Sequence, residues 1–201
     1  MGDPAGHYFE AEPAVASKRR TVRLDLPDRS LSLLTDRGVF AADGVAAATK
    51  YLLLEAPAPP PEGTFVDLGC GYGAIACTLA ARAPGATVWA VDVNRRALDL
   101  CRDNAAALGL TNVEVHEADA VPTTGDVDLL WSNPPIRIGK AALHALLTGW
   151  LGRLSPAGSA VLVVHQHLGA DSLHRWLEAE GWAVERLGSR SGNRLLEVRP
   201  S

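Results

Sequence analysis

Residues 66–76 read VDLGCGYGAIA. An apolar run closes on Asp67-Leu68, glycines follow at alternate positions (Gly69, Gly71, Gly73), and a stretch suited to a helix begins. Glycine is needed where a chain turns sharply and where backbone must come close to a ligand. The helix start that follows offers backbone N–H groups with no partner inside the helix. A strand, a glycine turn and a helix start in this order predict the ligand-binding turn of an open α/β sheet.

The sequence on either side agrees. Short apolar runs, TFVDL (64–68), TVWAVD (87–92), NVEVHE (112–117), VDLLW (127–131) and SAVLVVH (159–165), alternate with helix candidates near 74–83, 94–108, 140–153 and 170–180. That alternation predicts a parallel sheet covered on both faces. The end departs from it. WAVERLGS, then Arg190-Ser191-Gly192-Asn193, then RLLEVR reads as strand, turn and strand. The expectation is a doubly wound, Rossmann-like α/β sheet of seven strands ending in an antiparallel hairpin. Upstream, TVRLDL (21–26) and LSLLTD (31–36) alternate apolar and polar around Pro27-Asp28-Arg29-Ser30, predicting a β-hairpin. Asp43 is placed to cap a helix running to about Glu55, and Pro57, Pro59, Pro60 and Pro61 form a stiff connection. The chain thus divides into an N-terminal extension, 1–61, packed on a main domain, 62–201.

Composition narrows the function. A formal net charge of -4 argues against coating nucleic acid by electrostatics alone. Lys18-Arg19-Arg20 with Arg23, and Arg186, Arg190, Arg194 and Arg199, are either a local basic surface or solvated charges. Cys70, Cys77 and Cys101 are odd in number and fit no zinc spacing, which predicts free thiols in a reducing compartment. The histidines form no evident metal set, so no metal is expected. No apolar run is long enough to span a membrane, and the N-terminus lacks the regions of a signal peptide, so the cytoplasm is expected.

Two acids refine the ligand. TVWAVD ends in Asp92, 23 residues after Gly69, where a carboxylate can accept both ribose hydroxyls of an adenosine moiety. Asn94 could instead cap the next helix, and Asp92 be a turn residue. Asp119 could meet an adenine amino group, with Ala120 giving a backbone contact, or be an ordinary loop aspartate. An acid at Asp67 would repel a diphosphate, and Gly73 adds a close approach that the dinucleotide pattern does not require. Both favour S-adenosylmethionine over a dinucleotide, with Cys70 and Val93 as further contacts.

WSNPPI (131–136) ends the fourth run. In a doubly wound sheet this lies on the same rim as the glycine loop. An exocyclic amine or amide nitrogen is a poor nucleophile because its lone pair is delocalised. The Asn133 side-chain oxygen can accept one of its N–H groups and the Pro134 carbonyl the other. Pro135 restricts Pro134 to an extended conformation and so aims that carbonyl. Catalysis would then be positioning and polar preorganisation around an already activated methyl group. Pro-Pro alone could merely end a strand.

Asp67-x-Gly69-x-Gly71-x-Gly73, Asp92 and Asn133-Pro134-Pro135-Ile136 together resemble the class I methyltransferases that modify exocyclic nitrogens. The closer likeness is to the small-domain guanine-N2 methyltransferases of small-subunit ribosomal RNA. His7-Tyr8-Phe9, Arg37-Gly38-Val39-Phe40 after the hairpin, and Pro135-Ile136-Arg137 followed by Gly139-Lys140 carry that branch. The resemblance implies acidic character from Asp67 near the cofactor's aminoacyl end and Phe40 lining the cofactor or substrate pocket. It implies Asn133 and Pro134 on the guanine amine, Asn133 also beside the cofactor, and Ile136, Arg137 and Lys140 toward the substrate. Ribosomal RNA or the small subunit would be the partner, gripped by Lys18, Arg19, Arg137 and Lys140. Many relatives carry an aromatic residue where Ile136 stands, so base stacking is absent here. The same two motifs serve release-factor glutamine methyltransferases, which usually have a helical N-terminal domain and Tyr after the prolines. An adenine-N6 DNA methyltransferase would need a separate target-recognition region, and a noncatalytic S-adenosylmethionine-binding module would not need Asn133-Pro134-Pro135. A NAD-dependent reductase lacks a proton donor.

Overall fold

The computed structural model describes residues 12–123 and 126–201; His7-Tyr8-Phe9 lies outside them. Strands β1 (Arg20–Asp25) and β2 (Ser30–Thr35) form an antiparallel hairpin, followed by α1 (Ala47–Glu55). The main sheet then alternates β3 (Glu62–Leu68), α2 (Ala74–Arg82), β4 (Gly85–Asp92), α3 (Arg95–Ala107), β5 (Val113–Glu117), β6 (Val127–Ser132), α4 (Lys140–Leu151), β7 (Leu154–His165), α5 (Ala170–Ala179), β8 (Ala183–Arg190) and β9 (Asn193–Arg199). Its strand order is β5-β4-β3-β6-β7-β9-β8, parallel except that β9 is antiparallel to β7 and β8. The seven strands and the terminal hairpin are as the sequence predicts.

Side chains alternate across the pleat and feed two cores. Phe65, Val88, Ala90 and Trp131 pack with α1, α2, α3 and the N-terminal hairpin, while Val66, Trp89, Val91 and Leu130 pack with α4 and α5. The hairpin joins the first core through Leu24, Leu31 and Leu33. A buried amide fastens it: Asn104 of α3 accepts from Leu34 N (2.6 Å) and donates to the carbonyls of Leu34 (2.9 Å) and Tyr72 (2.8 Å). A polar side chain in this core is thereby satisfied, and one backbone edge of β2 is closed.

One expected cap is corrected. α1 begins after Ala46, with no side-chain cap, and Asp43, four residues before its first residue, pairs with Arg20 of β1. The cation draws the carboxylate away from the helix start. Asn94, by contrast, caps α3, accepting from Ala97 N at 3.1 Å. The three cysteines are free and buried. Among the described residues no helix is long and apolar enough to cross a membrane, and no three metal-ligating side chains gather.

Candidate functional site

β3, β4 and β6 end on one rim, above a cavity of about 910 Å³, within the size range of a small-molecule site. The glycine loop is stitched to the end of β4 by backbone. Gly69 N and Cys70 N both donate to Val91 O (2.8 and 3.0 Å), and Gly71 N donates to Asp92 Oδ2 at 2.8 Å. Asp92 Oδ1 accepts from Asn94 N at 2.9 Å. Each Asp92 oxygen thus holds one backbone N–H and keeps another acceptor position. Burial pushes its carboxyl up from the usual range, against these N–H bonds. Asp92 is therefore both a turn residue and a wall of the cavity.

The glycines of the loop have different duties. Gly69 (φ +77°) and Gly71 (φ +54°) line the cavity, and a Cβ on either would meet no atom. It would stand in space a ligand needs. Gly73 (φ +89°) is not a lining residue; a Cβ there would lie 2.6 Å from Cys101 Sγ. Its close approach is to α3, where the sequence reading expected a ligand.

Phe40, Val93, Asn133, Pro134, Pro135, Ile136 and Arg137 also line the cavity. Phe40 and Val93 are about half exposed, an apolar lip beside Asp92. Five expected contacts fall elsewhere. Asp67 is fully buried beneath the loop; its Oδ2 accepts from Ala76 N at 2.9 Å, its Oδ1 has no partner among the described residues, and desolvation raises its carboxyl to about 8. It anchors the first turn of α2 and presents no acid to the cavity. Cys70 is buried, its thiol reaching back to Gly71 O at 3.4 Å. Asp119 and Ala120 are exposed in the turn after β5, which reaches the cavity only through Ala118. Lys140 opens α4, exposed, outside the lining.

The Asn-Pro-Pro segment is more sharply shaped than its sequence implies. Pro135 (φ -75°, ψ 68°) is the centre of an inverse γ-turn, closed by Ile136 N donating to Pro134 O at 2.8 Å. The Pro134 carbonyl keeps its second lone pair. Asn133 Nδ2 donates to Thr49 Oγ1 at 3.1 Å, and no described residue donates to Asn133 Oδ1. Nothing in the sequence points to Thr49, the third residue of α1. Also unforeseen are residues 41–46 and Ala48 in the cavity wall, and Leu168 and Asn193, which line it along with His165. His165 accepts from His167 N through Nδ1 at 3.3 Å. Asn193 starts β9, two strands from β6 and so about 10 Å from it.

The arginines of the two candidate basic surfaces are largely ion-paired, and of the expected grip on RNA only Arg19 is among them. Arg19 pairs with Asp103, Arg20 with Asp43, Arg23 with Asp25, Arg186 and Arg194 with Asp171, Arg190 with Glu55 and Arg199 with Glu197. Among the described residues, neither the Arg137 nor the Lys140 side chain has a hydrogen bond or an ion pair.

Residues 30–194 match the family model of the methyltransferase small domain. The chain is 33% identical over 196 residues to the uncharacterized protein YbxB of Bacillus subtilis, covering 96% of this chain and 98% of that protein. It is 34% identical over 146 residues to the ribosomal RNA small subunit methyltransferase C of Aeromonas hydrophila, covering 70% of this chain but only 42% of that enzyme. Among solved structures it is similar to the T. thermophilus 16S rRNA N2 G1207 methyltransferase (RsmC) in complex with AdoMet and guanosine, with a TM-score of 0.78 and 25% identity over 94% of this chain and 52% of that one. A methyltransferase from Pyrococcus furiosus shares the fold at a TM-score of 0.61 and 20% identity.

Proposed function

This chain belongs to the methyltransferase small domain family, and from that premise we propose that it transfers a methyl group from S-adenosylmethionine to the exocyclic N2 of a guanine in small-subunit ribosomal RNA. The observation that carries this reading is Asn133 on one rim with the glycine loop and Asp92, its Nδ2 already engaged and its Oδ1 without a partner among the described residues.

The residues present fit the cofactor. Asp92 offers two acceptors at the end of β4, Gly69 and Gly71 open the floor, and Phe40 and Val93 supply apolar surface beside the acid. When bound, S-adenosylmethionine supplies a methyl group already activated on a sulfonium. The chain's task is then to present the nitrogen. Asn133 Oδ1 takes one N–H of the amine and Pro134 O takes the other through its remaining lone pair, so the nitrogen lone pair faces the methyl carbon. Fixed acceptors of this kind act by orientation and preorganisation. The γ-turn at Pro135 holds the Pro134 carbonyl in place. Ile136 gives an apolar but not an aromatic face. Arg137, exposed at the lip and unpaired among the described residues, suits a phosphate next to an unstacked base.

The test is methyl transfer from labelled S-adenosylmethionine to undermethylated small ribosomal subunits, with free RNA and total protein as parallel acceptors. Label recovered as N2-methylguanine is the expected result. Label confined to protein glutamine would overturn the acceptor and keep the nitrogen chemistry.

A further inference from the structure

Methyl transfer to nitrogen as proposed above turns on one rotatable amide. Rotated by half a turn, Asn133 would present two N–H donors to an amine that is itself a donor. We propose that Thr49, on α1, is the positioning residue that holds this amide in its productive orientation; the inference rests on the reading of Asn133 as the amine's acceptor.

The geometry is direct. Thr49 Oγ1 receives Asn133 Nδ2 at 3.1 Å across 84 residues of sequence, and Thr49 is buried. The hydroxyl has no other hydrogen bond among the described residues, so nothing else competes for it. α1 is a firm mount: Tyr51, Leu52 and Leu53 are buried with Phe65, Leu79 and Leu195 in the core. The partner side is equally fixed, since Ser132, next to Asn133, donates to Leu68 O at 2.6 Å.

A hydroxyl can donate or accept, so the orientation is set jointly. The incoming amine selects Oδ1, and Thr49 supplies Nδ2 with an acceptor on the opposite side. Without that acceptor, Nδ2 can be satisfied only by turning into the cavity, where it meets the amine. The cost falls on the aligned complex and not on cofactor binding, because Asp92 and the glycine loop are built from other elements. This gives the N-terminal segment a second duty. Residues 40–46 and Ala48 wall the cavity, and Thr49 ties that wall to the acceptor loop.

The test compares Thr49→Val, which keeps the shape and loses the hydroxyl, with Thr49→Ser, which keeps the hydroxyl. Thr49→Val is expected to lower kcat about 10- to 100-fold, in the range that a small misplacement costs, with KM for the acceptor and Kd for S-adenosylmethionine changed by no more than about twofold. Thr49→Ser restores kcat to within about twofold of the parent. In an Asn133→Ala background, Thr49→Val has no further effect on the residual single-turnover rate, because the two act as a unit. The Asn133 side-chain amide signals in a 15N NMR spectrum, which need no acceptor, shift in Thr49→Val and hold in Thr49→Ser. Parent-like kcat in Thr49→Val, equal losses with and without Asn133, or an unmoved Asn133 amide signal would each overturn the role of Thr49 alone. An Asn133→Ala enzyme with full activity would overturn the reading of Asn133, and this inference with it.

Discussion

The two halves of the rim are built by opposite means. On the cofactor side, Gly69, Cys70 and Gly71 meet Val91 and Asp92 through backbone N–H groups, and these few residues come from one β-α-β unit. On the proposed acceptor side, Asn133, just after β6, meets Thr49 from α1, and Pro134, His165 from β7 and Asn193 from β9 line the same cavity. Backbone bonding makes the first half insensitive to most side chains, provided glycine stays where a Cβ would intrude. The second half depends on a few side chains brought from four distant elements, so single substitutions there change chemistry with little effect on fold.

The largest expected effect attacks that division directly. Asn133→Ala should lower transfer by about 100-fold or more, as loss of an orienting polar group does, while cofactor affinity measured by calorimetry stays close to the parent. Equal losses in both would mean that the halves are not separable. Within the cofactor half, Gly73→Ala should act on the fold. The added methyl meets Cys101 Sγ in a left-handed conformation, costing about 1–3 kcal/mol for overpacking and about 1–2 kcal/mol for the backbone, readable as a lower denaturant midpoint. Gly71→Ala meets no atom; beyond its left-handed backbone, its effect should be about a tenfold weaker Kd for S-adenosylmethionine, the equivalent of about 1.4 kcal/mol. If both variants weaken binding alike without a stability difference, the assignment of Gly73 to packing is wrong.

A further effect lies beneath the loop. The Asp67 carboxyl is raised to about 8 in the folded protein, chiefly by desolvation, against about 3.9 in an unfolded chain. Between those values the folded state holds a proton that the unfolded state has released, so stability falls as pH rises through that window. Asp67→Asn keeps an acceptor for Ala76 N and cannot ionise. Its melting temperature should exceed the parent's near pH 8 and lose that advantage toward pH 4. An unchanged difference across the window would show that Asp67 does not hold the proton.

The same division explains what could be read without coordinates. The glycine loop, Asp92 and Asn133-Pro134-Pro135 are short-range patterns whose spacing reports their geometry, and the seven strands follow from alternation and turn residues. Gly73 kept its glycine for Cys101, 28 residues away, so local spacing gave the right residue and the wrong neighbour. Asp43 looked like a cap because its rival, Arg20, is distant in sequence. Asp67 read as an acid facing the ligand because the pattern carries no depth. Thr49 and Asn193 carry no such signal: one sits within a helix and the other at a strand start, and only the assembled rim brings Asn193 to the cavity and Thr49 to Asn133.

The position of β9 in the sheet has a consequence for synthesis. It lies between β7 and β8 although it follows both in the chain. As the nascent polypeptide leaves the ribosome, folding N-terminal portions first, β3 and β4 with their glycine loop can pair early. β7 keeps an open hydrogen-bonding edge until residues 193–199 emerge. The glycine-loop half is therefore available before the half around Asn133 is closed, and a nascent chain stalled before Asn193 should expose β7 to proteolysis and aggregation.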